Sequence, residues 1–487
     1  MKDNPVSFKK ACIIILLLMP ASAFAYDREL WQSFPSMNYV TSLAESPTVI
    51  FVATTGGIRR YDRFARTWLA PLTTLDGLPD NRVQRIIYDP DTGDLWFETP
   101  SGAGRWLTGI QSIMPGGAIP GQLNKPRPTP KIPPVFPPFG YYIDDRQIIG
   151  PRNNYAITNV LIDSWRHLWI ATWGLGVGQA ELIDGQLTFL TFGPLEENVT
   201  AIARDGDAIW IGGEDTYRAP ARGITRYHPR DNTWEYFEAS RIIGLDDPQV
   251  VSILPDSTNV WFGTHNGLMR YHKRTGQWFT YRDTRRWGNV QALARDNNTL
   301  WIGSERGLAL LDTKADSLDR VSGSERAIIQ ALVAGPNYIW AGTQTGLYQT
   351  ARGNRTWRAV KDTQNFAKRP IRALTIYDND LWIATEAPPG LLRYRPKDKT
   401  WHEFPLAEVG SRDKISIDAD SASVWVATSA GAFYLDVARE HWTHYTTFDG
   451  LVHTQVQIVM RDDEYVWFGT PEGLSRFHWV RAIFEKY

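Results

Sequence analysis

One short pattern recurs along this chain and limits what it can fold into. It runs aliphatic, Trp, aliphatic, Gly or Ala, usually Thr, with Gly-Leu a few positions on. VWFGTHNGLMRY (260–271) shows it in full. Its central aromatics are Phe51, Trp96, Trp169, Trp210, Trp261, Trp301, Trp340, Trp382, Trp425 and Trp467. Successive positions lie 39 to 51 residues apart, with one interval of 73 between Trp96 and Trp169. Apolar residues alternate in steps of two, and Gly, Asn and Asp punctuate them, which is strand and turn chemistry. An all-strand unit of about 40 residues, repeated many times, is the signature of propeller blades.

Each unit divides into four short strands. The first opens with Val40, Val83, Val160, Val199, Val250, Val290, Ile329, Ile371, Ile415 or Val456, and the second holds the Trp motif. A Thr-x-x-Gly loop leads to the third, and a fourth carries Trp and then an aromatic, as in Trp234 and Phe237. The segment ELWQSF (29–34) reads as a fourth strand, and the last unit ends near its third, GLSRF (473–477). The expectation is an all-β chain forming a single β-propeller of about ten four-stranded blades, closed by the N-terminal strand. Two smaller propellers are the alternative, and RAIFEKY (481–487) is an alternative source of the last strand. A large side chain at one strand position in every unit is expected to pack against the next blade, so the motif tryptophans read as core.

The units VWFGTHNGLMRY, LWIGSERGLALL (300–311), IWAGTQTGLYQT (339–350) and VWFGTPEGLSRF (466–477) resemble the two-component-regulator propeller repeat. That resemblance spans nearly the whole chain after residue 26. It implies the ligand-sensing propeller of a periplasmic sensor linked to polysaccharide-derived ligands. The immunoglobulin-like domain, membrane span and kinase of such sensors are not found among the 487 residues. The resemblance therefore implies a stand-alone binding or assembly component rather than a complete signalling chain.

Composition narrows the function classes. The 52 basic and 53 acidic residues leave a net charge of −1, so the basic footprint of a nucleic-acid binder is missing. The lone cysteine, Cys12, excludes a disulfide framework, a Cys-ligated zinc site and haem attachment. Lys9 and Lys10, the apolar run Ala11 to Met19 and the Ala23-Phe24-Ala25 site read as a signal peptide over 1–25, cleaved after Ala25. The expected location is periplasmic or secreted. No internal apolar run approaches 18 residues, so no membrane-spanning helix is expected.

Residues 26–487 are expected to form the propeller, with a Pro-rich insertion at about 107–152. Ten of the 30 prolines fall in 115–151, a composition favouring an extended arm over a central strand. Phe136, Phe139, Tyr141 and Tyr142 are its candidate partner-binding anchors; the competing reading is a clamp packed on its own ring. A smaller insertion, GEDTYRAPARG (213–223), lengthens one loop on the face where chains enter first strands. That entry face is the candidate ligand surface. Two tryptophans off the repeat, Trp173 and Trp287, are placed there, with Arg82, Arg286, Arg326, Arg369 and Arg412 preceding first strands and His265 in a Thr-x-x-Gly loop. Aromatic rings beside guanidinium groups suit a glycan or an acidic protein loop.

No catalytic constellation emerges. The nucleophile-elbow and phosphate-loop patterns are absent, and no cysteine remains after cleavage. No catalytic residue, metal ligand or cofactor is expected. The first reading is an exported non-enzymatic scaffold binding an envelope or extracellular protein. The second is a receptor for an oligosaccharide, signalling through a separate membrane protein. The third is a metal-assisted lyase using His265.

Overall fold

The computed structural model describes all residues except 1–29, 125–129, 152, 217–219, 282–287, 325–326, 407–414 and 485–487. The proposed signal peptide therefore lies outside the described residues. Nine four-stranded antiparallel sheets and one six-stranded sheet make up the described fold. In chain order they cover 40–72, 85–115, 142–190, 198–238, 250–281, 290–320, 329–359, 371–405 and 416–445, and the tenth covers 458–477.

Each sheet follows from the repeat. In the fifth, Trp261 pairs with Arg270 and with Leu254, so alternate residues of Asn259–Thr264 face opposite neighbours. The Thr-x-x-Gly signal is a side-chain-locked turn: Thr264 Oγ1 donates to the Gly267 carbonyl at 3.2 Å, and Thr54 does the same to Gly57 at 2.8 Å. Gly57 has φ 128°, and a Cβ there would lie 2.4 Å from the Leu72 carbonyl oxygen, so only glycine fits. Eight motif tryptophans are buried, each in the core between its own sheet and a neighbour, which is the core role expected of them.

The tenth sheet takes its fourth strand from the other end of the chain. Trp31–Pro35 runs antiparallel to Gly473–Phe477, with Trp31 opposite Phe477. Residues Trp479–Phe484 form a short helix, so they do not supply the strand considered for 481–487.

Packing between sheets does not run once around all ten. The fourth through tenth sheets follow one another face to face, and the tenth returns to the fourth through Phe34, Val199, Ile211 and Trp467. The first three form a separate row. Phe51 faces the second sheet, while Ile50 and Val52 face Trp169 and Ala171 of the third. The expected single ring of ten is thus corrected to seven sheets in a cycle and three in a row. The two-propeller alternative is closer, but the division is uneven. The row is inserted between the Trp31–Pro35 strand and the fourth sheet.

The Pro-rich insertion explains how the row ends. In every sheet the motif aromatic faces the following sheet, but none follows the second. Trp96 is accordingly half-buried, with Gly117 against its ring, Ile119 buried nearby and Arg85 bonded to Asn124. At the other end Leu168 and Ile170 would be bare; Ile132, Val135, Tyr141 and Ile143 cover them. Phe136 pairs with the sheet-edge segment through its N–H to Gly185 and its carbonyl from Leu187. The insertion takes the place that neighbouring blades would fill.

Candidate functional site

Two linkers, 36–39 and 191–197, carry the chain between cycle and row, and polar side chains gather where they meet. Asn38 Nδ2 donates to the Leu195 carbonyl at 3.4 Å, and Leu195 N–H donates to Thr225 Oγ1 at 2.9 Å. Arg59 of the row is buried, stacks 3.4 Å over Trp68 and donates to the Leu190 carbonyl. The centre of the seam is Arg222, at the end of the 213–223 insertion. Its Nη1 donates to the Gly174 carbonyl of the row at 3.1 Å, and its Nη2 lies 3.7 Å from Glu238 Oε1. Glu238 Oε2 also accepts from the Tyr141 hydroxyl at 2.8 Å. Burial works against the Arg222 charge, but Glu238, the two tyrosines and Glu196 outweigh it and hold the guanidinium charged.

A cleft of about 420 Å³ opens beside this pair. Tyr141 and Tyr155 form its row side, and Asp215, Glu238 and Asp247 its cycle side, with Arg222 between them. The carboxylates are held in place: Asp215 caps Ala221 N–H and Asp247 accepts from Asn266. Carboxylates outnumber the one guanidinium, so the cleft favours a cationic or hydroxyl-rich group over an anion. Its volume falls within the range of about 300–1,000 Å³ common for small-molecule sites.

Glu196 lies beneath the cleft and gives the seam a pH dependence. Its Oε1 accepts the Arg222 and Gly223 N–H groups at 2.7 and 2.8 Å, but burial dominates and raises its pKa from 4.5 to about 7. The folded state therefore keeps a proton that the unfolded chain has lost. Stability should be greatest below pH 4.5 for this group and fall as pH rises from 4.5 to about 7, by on the order of 3 kcal/mol. Glu196→Gln is expected to flatten that slope in urea melts across this window. An unchanged slope would assign the dependence elsewhere.

The sequence candidates divide. Trp173 stands at the seam, ring to ring with Tyr39 at 5.1 Å and one residue from the carbonyl that Arg222 grips. His265 lies on the far side of the cleft wall, its Nε2 2.6 Å from Glu214 Oε1 and its N–H on the Gln249 carbonyl. No group of three metal-ligating side chains occurs among the described residues. Arg82 instead pairs with Asp80, and Arg369 with Glu403, in the second and eighth sheets. Arg286, Trp287, Arg326 and Arg412 lie outside the described residues. On the arm, Phe136, Phe139 and Tyr142 are exposed, whereas Tyr141 is buried against Glu238 and is corrected from a docking anchor to a wall of the cleft. Sequence reasoning missed Glu196, Glu238 and Tyr155. The off-period loop ending at Arg222 was the one signal near them.

No protein-family model matches the chain, and neither does any curated protein. Solved structures do share its fold. The extracellular domain of the putative hybrid two-component system BT3049 from B. thetaiotaomicron has TM-score 0.50 and 16% identity, over 91% of this chain and 62% of that one. The extracellular domain of the putative one-component system BT4673 from the same organism gives 0.49 and 15%, over 90% and 70%. PorZ, a surface component of the type-IX secretion system of Porphyromonas gingivalis, gives 0.49 and 16%, over 90% and 68%. The chain spans about two thirds of the length of these structures. The resemblance of its repeats to the two-component-regulator propeller thus extends to the fold, as an all-β array of propeller-like sheets.

Proposed function

We propose that this chain is an exported, non-enzymatic binding module that docks an envelope or extracellular protein in the periplasm or at the cell surface. The observation that carries this reading is the state of the Pro-rich insertion. Its backbone is tied down at Phe136 and Tyr141, yet Phe136, Phe139 and Tyr142 turn their rings to solvent. Aromatic groups on an already ordered segment lose little entropy on docking. They adjoin the acidic cleft through Tyr141, so the fitting partner presents apolar side chains next to Lys or Arg. The signal-like N-terminus supports export.

Deleting 115–142 would strip the cover from two sheets, so surface variants make the better test. Phe136→Ser, Phe139→Ser and Tyr142→Ser combined should abolish crosslinked pull-down of a specific envelope protein while leaving the melting temperature unchanged. Equal recovery by wild type and variant would overturn the arm as the docking surface.

The second reading, an oligosaccharide receptor, is favoured by the cleft itself, where tyrosine rings, carboxylates and Arg222 converge. Saturable oligosaccharide binding lost in Tyr155→Ala and retained in the arm variant would establish it instead. The lyase reading has less support, since His265 is engaged by Glu214.

A further inference from the structure

The seventh and eighth sheets break the repeat in the same place, and a cleft lies between them. In most sheets an aspartate sits five or six residues before the motif tryptophan, in the turn between first and second strands. Asp163, Asp205 and Asp256 accept the indole N–H of Trp169, Trp210 and Trp261 at 3.0, 3.3 and 2.7 Å. Asp296, Asp420 and Asp462 stand five residues before Trp301, Trp425 and Trp467. In the seventh sheet that position is Gly335, and in the eighth it is Tyr377.

The missing side chain leaves space. A Cβ on Gly335 would lie 3.4 Å from Trp340 Nε1 and 2.8 Å from Ile376 Cδ1. The Trp340 N–H finds no acceptor among the described residues, although the ring is 2% exposed. It borders a cleft of about 570 Å³ whose walls include Tyr338, Ile376, Asp378, Asn379 and Lys397. The ring of Tyr338 lies 5.5 Å from that of Trp340 and is partly open to solvent. The side chains of Asn379, Lys397 and Asp378 have no hydrogen-bond or ion-pair partner among the described residues, whereas nearby Asp380 is engaged by Arg395.

We infer that this cleft binds the zwitterion of an apolar α-amino acid, at a site separate from the seam. The Lys397 ammonium, the Asn379 amide and the Trp340 N–H are donors suited to a carboxylate. The Asp378 carboxylate is suited to an ammonium group. Tyr338 and Ile376 offer the apolar wall for the side chain. A simple anion would meet Asp378, and a simple cation would meet Lys397, so the balanced pair favours a ligand carrying both charges.

Isothermal titration calorimetry on the full chain with L-leucine and L-phenylalanine tests this. Saturable binding is expected, weakened at least about tenfold for N-acetyl-L-leucine and for L-leucine methyl ester, each of which lacks one charge. Lys397→Met should weaken L-leucine to a similar degree. Gly335→Asp, which restores the residue of the other sheets, should remove binding by occupying the recess. If that variant lowers the melting temperature, Lys397→Met alone carries the comparison. Absence of saturable heat with either amino acid, or equal binding of the capped derivatives, overturns the proposal. Binding of glucose in their place also overturns it, assigning the cleft to a neutral polyol. None of these outcomes bears on partner docking at the arm.

Discussion

Phe34→Ala is expected to lower the unfolding free energy by about 3–5 kcal/mol, the usual cost of emptying a buried phenylalanine site. Phe34 is 1% exposed and sits where the seven-sheet cycle meets itself. Its ring lies 5.3 and 5.5 Å from Trp234 and Tyr227 of the fourth sheet and 6.0 Å from Trp467 of the tenth. The strand that carries it is held by pairing with Gly473–Phe477. The cavity would therefore open between the first and last sheets of the cycle, where no connecting chain limits their separation. Urea denaturation followed by circular dichroism measures the loss. Phe64→Ala, on an exposed turn of the row, is the control and should change stability by less than about 0.5 kcal/mol. Equal effects of the two substitutions would mean that the N-terminal strand does not hold the cycle together.

Arg222→Ala should cost a similar amount, about 3–5 kcal/mol, for an electrostatic reason. The Arg222 side chain is 10% exposed and its charge is balanced against Glu238 at 16%. Removing the guanidinium leaves that carboxylate without its cation in a poorly solvated seam and also frees the Gly174 carbonyl. Row and cycle would then lose their central tie, so the urea transition should broaden or split. Adding Glu238→Gln to Arg222→Ala should recover part of the loss, because the stranded charge disappears with its partner. Strict additivity of the two substitutions would show that they do not interact across the seam.

The repeat made the local architecture legible. Trp261 and its equivalents, the Thr-x-x-Gly turns and the Trp31–Phe34 segment all have the roles that their spacing implies, since these depend on residues close in sequence or on a pattern repeated in register. The arm was half legible. Its proline content excluded a central strand, but not whether Ile132 and Val135 would find a sheet face to cover. The seam was the least legible part. Arg222, Glu238, Tyr141 and Tyr155 come from four separate places in the chain, and no local pattern links them.

The sequence by itself determined the blade: four short strands, an inward-facing aromatic, a locked turn and the strand shared between the chain ends. Only the tertiary structure decided how many blades close together. Every unit carries the same apolar pattern on both faces, so each sheet is locally able to accept any other as its neighbour. The choice falls to sheet-to-sheet angles and to what covers the faces left over, here Trp96 at one end of the row and Leu168 with Ile170 at the other. Those are properties of the assembled chain, and a 40-residue repeat does not encode them.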